Sequence, residues 1–280
     1  MMVGNKFPLF FLYICYIMIG LGAYIGDYSG AKYEFTPYTG KYEDIEILGK
    51  GSQYTDDSVL TTAVMDWLTG SNETPISNYL RAYGRTYRYA GYGKMFNDWL
   101  DQDDAPAYGS FGNGSGMRVS PVGFWANTLE ECLDLAKETA IVTHDHPEGI
   151  KGAQAIATAI YLAKRGKSKE EIKNFAERLF KYDLDRSIDS IKGTHKFDAT
   201  CQVTVPEALI CFFESKNFED CVRKSIWIGG DVDTIGAMAC PIAEAYYGIP
   251  YSIQYTIKSK LDENMINRLS KFNYELSYRG

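Results

Sequence analysis

From Ser58 to Leu68 the apolar residues Val59, Leu60, Ala63, Val64 and Trp67 recur at the spacing that places them on one face of a helix. The same period returns along most of the chain. Thr74-Pro75 predicts a helix start, with proline at the first helical position. Thr128-Leu129-Glu130-Glu131 and Ser168-Lys169-Glu170-Glu171 read as capping boxes ahead of amphipathic runs. Residues 149–165 are alanine-rich and helical in pattern, Val205-Pro206-Glu207 opens a helix over 208–214, and 218–228 is another. A further helix is expected over 234–247, kinked at Pro241 and stopped by Gly248. Strand signals are sparse, no repeat is visible, and no Pro/Gly/Ser linker divides the chain. The expectation is a single all-α domain.

The N-terminus complicates this. Residues 7–26 contain no charge and are long enough to span a bilayer. The second half, from Met18 to Gly26, is rich in small residues and runs directly into Asp27, the pattern of a tightly packed core helix. Residues 1–17 are then an apolar extension ahead of a domain covering 18–280, with Met18 as an alternative start. Membrane contact is expected only through residues 7–17, which are too short to span.

With 280 residues, 45% apolar and 23% charged, the chain can bury a substantial core. Its net charge of −7 argues against a general nucleic-acid surface, which would be basic. Six cysteines are scattered without a Cys-x-x-Cys pair, which reads as buried reduced thiols and a cytoplasmic setting.

Two acidic clusters stand out, Thr55-Asp56-Asp57-Ser58 and Gly230-Asp231-Val232-Asp233-Thr234. Each lies where polar sequence gives way to a helical pattern. Aspartate and threonine at a helix start are explained by capping when taken singly. Two clusters of matching chemistry point instead to hard oxygen ligands for Mg²⁺ or Mn²⁺. Asp231 and Asp233 would diverge on a regular helix, so both reach one ion only if the chain is still a loop there, a freedom that Gly229-Gly230 provides. Asp27 and Glu34 add two carboxylates at the end of the first apolar helix, where surface acids are the plainer explanation.

Residues 108–118, Tyr-Gly-Ser-Phe-Gly-Asn-Gly-Ser-Gly-Met-Arg, form a glycine-alternating loop whose N–H groups suit an anion-binding nest, or simply a flexible surface loop. Thr143-His144-Asp145-His146-Pro147-Glu148 holds two of the three histidines. Without nearby cysteine, His-x-His is a weak zinc signal, and a histidine bonding a substrate fits better, with a helix–helix turn as the alternative. His195 is taken as structural.

In this order, Gly-Asp-x-x-Gly-x-x-x-Glu, Thr-Asp-Asp-Ser, Gly-Asn-Gly-x-x-Met-Arg, Thr-His-x-x-Pro-Glu and Gly-Gly-Asp-x-Asp-Thr, the chain resembles the ADP-ribosylglycohydrolases related to dinitrogenase reductase-activating glycohydrolase, in their compact bacterial form. The resemblance runs from about Met18 to Pro250. It implies a single orthogonal multi-helix domain with a binuclear Mg²⁺ or Mn²⁺ centre at the foot of an ADP-ribose cleft. Thr55, Asp56, Asp57 and Asp233 would hold one ion, and Asp231, Asp233 and Thr234 the other. Glu34 would ligate a metal or swing towards substrate. Tyr108, Gly109, Ser110, Phe111, Gly112, Asn113 and Gly114 would cradle diphosphate and ribose, and His144 would touch the nucleotide. Glu34, Asp56 and Asp57 are the candidate catalytic groups. Val232, Pro241 and Tyr28 depart from the family pattern without removing a ligand.

The implied activity is metal-dependent hydrolysis of the bond between ADP-ribose C1″ and an acceptor on a protein side chain or small molecule. The same ligands would also serve a phosphatase or pyrophosphatase, and a non-catalytic ADP-ribose binder is the third reading.

Overall fold

The computed structural model describes residues 18–70, 73–192 and 197–279. The extension 1–17, with Cys15 and the expected membrane contact at 7–17, and His195 lie outside the described residues. Within them are fifteen α-helices and no strand: α1 (Gly22–Gly30), α2 (Asp56–Leu68), α3 (Ile76–Thr86), α4 (Lys94–Leu100), α5 (Gly114–Met117), α6 (Ser120–Trp125), α7 (Leu129–Ile141), α8 (Pro147–Lys164), α9 (Lys169–Phe180), α10 (Ile188–Lys192), α11 (Cys201–Glu214), α12 (Phe218–Trp227), α13 (Val232–Tyr247), α14 (Tyr251–Lys258) and α15 (Glu263–Leu276).

The centre of the fold is the crossing of α1 on α13. Every residue of α1 is buried, as is α13 from Val232 to Glu244. Gly22, Gly26 and Gly30 recur every four residues on α1, so they form one face without side chains. A Cβ on Gly26 would lie 2.1 Å from the Gly236 carbonyl oxygen, and one on Gly30 would lie 2.5 Å from the Asp233 Cα. The two backbones therefore touch. That close approach brings Asp27 of α1 against Asp233 of α13.

Local chemistry accounts for many helix ends. Ser168 and Glu171 form the full reciprocal capping box that opens α9. At α7 the box is half closed: Thr128 accepts from Glu131 N–H, while the Glu131 carboxylate turns back to Asn127 N–H at 2.7 Å. Pro75 is the N-cap of α3 rather than its first helical residue, so the helix starts one position later than expected. No local side chain caps α1. Glu244 of α13 does so from 222–224 residues away, accepting from the N–H groups of Gly20, Leu21 and Gly22 at 2.8, 3.3 and 2.8 Å.

One proline expectation changes. The helix predicted over 208–214 starts at Cys201 and carries Pro206 inside it, whereas α13 runs from Val232 to Tyr247 with Pro241 in its interior, as expected. The α11 start has a tertiary cause: Cys201 N–H donates to the Phe111 carbonyl at 2.9 Å, and Ala199 accepts from Asn113 N–H at 2.8 Å. The glycine loop thus takes the place of a local cap.

The described cysteines, at 132, 201, 211, 221 and 240, are free and buried, as expected. No helix among the described residues is long and apolar enough to cross a membrane.

Candidate active site

Asp27 sits fully buried on α1 beneath the start of α2. Its Oδ2 accepts from Thr55 N–H at 2.9 Å and Ser58 N–H at 3.1 Å, and from the Ser58 hydroxyl. Its Oδ1 accepts from Thr55 Oγ1 at 2.8 Å. These bonds satisfy N–H groups that a helix start leaves open, and fix α2 over α1. Thr55 is the N-cap, and its hydroxyl lies 3.1 Å from Asp57 Oδ2. The other oxygen of Asp57, Oδ1, is buried and meets no hydrogen-bond donor.

Across from α2, Gly229 and Gly230 adopt φ of 88° and 80° and turn the chain into α13. Asp231 is the N-cap and lies outside the helix, whereas Asp233 is within its first turn. The loop geometry anticipated for this pair is therefore present. Asn113 donates to Asp231 Oδ2 at 2.7 Å, and Thr234 Oγ1 lies 3.4 Å from Asp57 Oδ2, linking clusters 177 residues apart.

Carboxylate oxygens of Asp27, Asp57 and Asp233 all lie within 4.8 Å of one another, and so do those of Glu34, Asp231 and Asp233. Asp233 belongs to both groups. Asp56 belongs to neither: it is half-buried, lines the cleft, and turns towards Gly91, where a Cβ would be 3.4 Å from its Oδ1. Asp27 lies beside Asp57 and Asp233. Sequence reasoning had placed Asp27 in the first of the five motifs, with a surface acid as the plainer explanation of the segment taken alone.

Burial dominates the electrostatics of this cluster. It pushes Asp27 up to about 6 against four hydrogen bonds. Glu34 rises to about 7 through burial and then the charges of Asp231 and Asp27. Asp56 rises to about 8 by burial and the same two neighbours. Asp57 and Asp233 stand well above the carboxylate range, from burial reinforced by surrounding acids, and Asp231 is raised chiefly by burial. No lysine or arginine among the described residues compensates any of them. Buried like charges of this density need protons or cations.

Glu34, Asp56, Asp57, Asp231 and Asp233, though not Asp27, line a cleft of about 530 Å³ together with Tyr108, Ser110, Asn113 and His144. The glycine loop serves it differently from an unbroken amide nest. The N–H groups of Gly109, Gly112 and Asn113 already donate to Asp145 Oδ1 at 2.7 Å, Ser110 Oγ at 3.1 Å and the Ala199 carbonyl at 2.8 Å. Gly112 and Gly114 also line the cleft; Gly109 and Phe111 do not. Phe111 is 45% exposed and packs its ring 5.3 Å from that of His146. The Tyr108 ring lies 6.1 Å from that of His144. His146 caps α8 by accepting from Glu148 N–H at 3.1 Å, an ordinary helix start rather than a zinc ligand. Arg118 and Thr143, unassigned by sequence reasoning, are buried beside His144, and Arg118 also lines the cleft.

The profile of a family described as ADP-ribosylglycohydrolase matches residues 19–276. The chain is 25% identical over 262 residues to ADP-ribosylarginine hydrolase Tri1 of Pseudomonas putida (strain GB-1), covering 82% of this chain and 69% of that protein. It is 24% identical over 306 residues to ADP-ribosylhydrolase ARH3 of Homo sapiens, covering 81% and 84% respectively. A solved structure titled ADP-ribosylglycohydrolase-related protein complex superposes with a TM-score of 0.72 at 25% identity, over 92% of this chain and 95% of the other.

Proposed function

Because the chain belongs to the ADP-ribosylglycohydrolase family and is a hydrolase of ADP-ribose glycosidic bonds, we propose that it is a metal-dependent enzyme. Its reaction separates ADP-ribose C1″ from an acceptor on a protein side chain or small molecule. The observation that carries this reading is the pair of carboxylate groups sharing Asp233.

The donor set fits divalent cations. Every ligand is a hard oxygen, none of these carboxylates forms an ion pair with a basic side chain among the described residues, and Asp57 Oδ1 is buried without a partner. Asp27, Asp57 and Asp233 would hold one Mg²⁺ or Mn²⁺, with Thr55 and Thr234 alongside, and Glu34, Asp231 and Asp233 would hold a second. Such ions, when bound, supply charge that orients sugar hydroxyls and lowers the pKa of water.

The chain's own groups divide the remaining work. Asn113, held by Asp231, and His144 stand on the cleft wall where they can fix the nucleotide part of the substrate. Binding energy gathered there positions the distant C1″. Glu34 lines the same cleft and is partly exposed, which places its carboxylate to take the proton of an attacking water. The developing positive charge on the sugar ring faces a floor of carboxylates, which favours an oxocarbenium-like transition state.

The test is product analysis. ADP-ribosylated protein and small-molecule conjugates are incubated with enzyme and Mg²⁺ or Mn²⁺, and the soluble products are identified by mass spectrometry. Release of free ADP-ribose is expected. AMP or inorganic phosphate as the sole product contradicts the proposal.

A further inference from the structure

Arg118 is fully buried, and no carboxylate among the described residues pairs with it. Its Nη2 donates at 2.7 Å to the Thr139 carbonyl and at 2.7 Å to Thr143 Oγ1. A guanidinium only donates, so Thr143 Oγ1 receives this bond and its own hydrogen is free for another partner. Tyr108 also hydrogen-bonds Thr143; with the Tyr108 hydroxyl donating, both lone pairs of Thr143 Oγ1 are taken and its hydrogen goes to His144 Nδ1, 2.8 Å away. Nδ1 is then the acceptor, and the ring hydrogen sits on Nε2. Nε2 points at the glycine loop: a Cβ on Gly114 would come within 3.0 Å of it, and one on Gly112 within 3.7 Å. No protein acceptor meets it among the described residues, and the ring lines the cleft. Burial and the adjacent guanidinium both hold His144 well below its ordinary pKa, so the ring is neutral.

We infer that Arg118 is a positioning residue which, through Thr143, locks His144 as the neutral Nε2–H tautomer and makes this wall of the cleft a hydrogen-bond donor to an acceptor oxygen of ADP-ribose. The ligand half of the inference rests on the function proposed above; the tautomer half does not. The Tyr108 ring lies 6.1 Å from that of His144, and both line the cleft.

The test is two-bond proton–nitrogen correlation NMR on the full chain with ¹⁵N-labelled histidine, the His144 signals being identified by their loss in His144→Gln. Wild type and Thr143→Ser are expected to show one neutral tautomer protonated on Nε2. Thr143→Val, which keeps the shape and removes the hydroxyl, is expected to lose that single-tautomer pattern. It should also raise KM for the ADP-ribosylated substrate roughly tenfold, the size of one neutral hydrogen bond, with kcat little changed. A wild-type ring protonated on Nδ1, or a Thr143→Val spectrum identical to wild type, overturns the relay. An Nε2–H ring whose signals ignore added ADP-ribose, while other resonances respond to it, overturns the ligand half alone. ADP-ribose that perturbs no resonance counts against the proposed function instead.

Discussion

At the residue scale, Asp57 and Asp233 are the side chains whose replacement separates stability from activity. Both are buried among other acids, so each weakens the cation-free protein. Asp57→Asn and Asp233→Asn should therefore raise the Tm in chelating buffer by a few degrees, on the order of 1 kcal/mol for a chain of this size. The same variants should lose turnover by more than the roughly 10–100-fold typical of groups that only support a metal ligand. Differential scanning fluorimetry and an ADP-ribose release assay, run on one preparation, read both effects. Most site residues were legible as acids at helix starts, because two clusters of the same chemistry are improbable as mere caps. Asp27 was given no role of its own, although its oxygens lie with those of Asp57 and Asp233. Sequence shows which carboxylates exist, whereas the crossing of α1 on α13 decides which oxygen faces Asp233.

At the scale of elements, the glycine face of α1 and the Glu244 cap hold that crossing. Gly26→Ala would drive a methyl group into the Gly236 backbone, which cannot rotate aside as a side chain would. A loss of at least about 1–3 kcal/mol is expected, the range for overpacking, together with reduced activity because Asp27 shifts. Glu244→Gln replaces one acceptor oxygen with an N–H donor facing the N–H groups of residues 20–22, and should cost about 1–3 kcal/mol. Urea unfolding midpoints measure both. Helices with local caps, such as α9 with Ser168 and Glu171, could be read from sequence because their end signals lie within four residues. The start of α11 could not. Its first N–H finds an acceptor in the loop at Phe111, 90 residues earlier, and Pro206 then looks like a beginning although it is interior.

At the scale of the whole molecule, the acid cluster couples folding to pH and to divalent ions. Asp27, Glu34 and Asp56 have folded-state pKa values of about 6, 7 and 8, above the 3.8 to 4.5 they would have in the unfolded chain. Between those limits the folded protein binds more protons than the unfolded one. This contribution is therefore complete below about pH 4 and is lost as pH rises through 6 to 8. In chelator the Tm should fall across that window. Added Mg²⁺ or Mn²⁺ should restore it, and by more at pH 8 than at pH 5, since ions compete with protons for the same oxygens. A Tm shift on adding metal that is the same at both pH values would show that the ions bind elsewhere. The convergence of positions near 57 and near 233 was legible from motif order, and the helical character of the chain from its period. The donor role of His144 was not, because it depends on Arg118 and Thr143 meeting beside the ring.

The most direct measurement is anomalous diffraction at the manganese edge from crystals of the chelator-stripped protein soaked in Mn²⁺. Two peaks flanking the Asp233 carboxylate are predicted, one beside Asp27 and Asp57 and the other beside Glu34 and Asp231. An absence of anomalous density at Asp233, in protein that still releases ADP-ribose under the same conditions, would contradict the account.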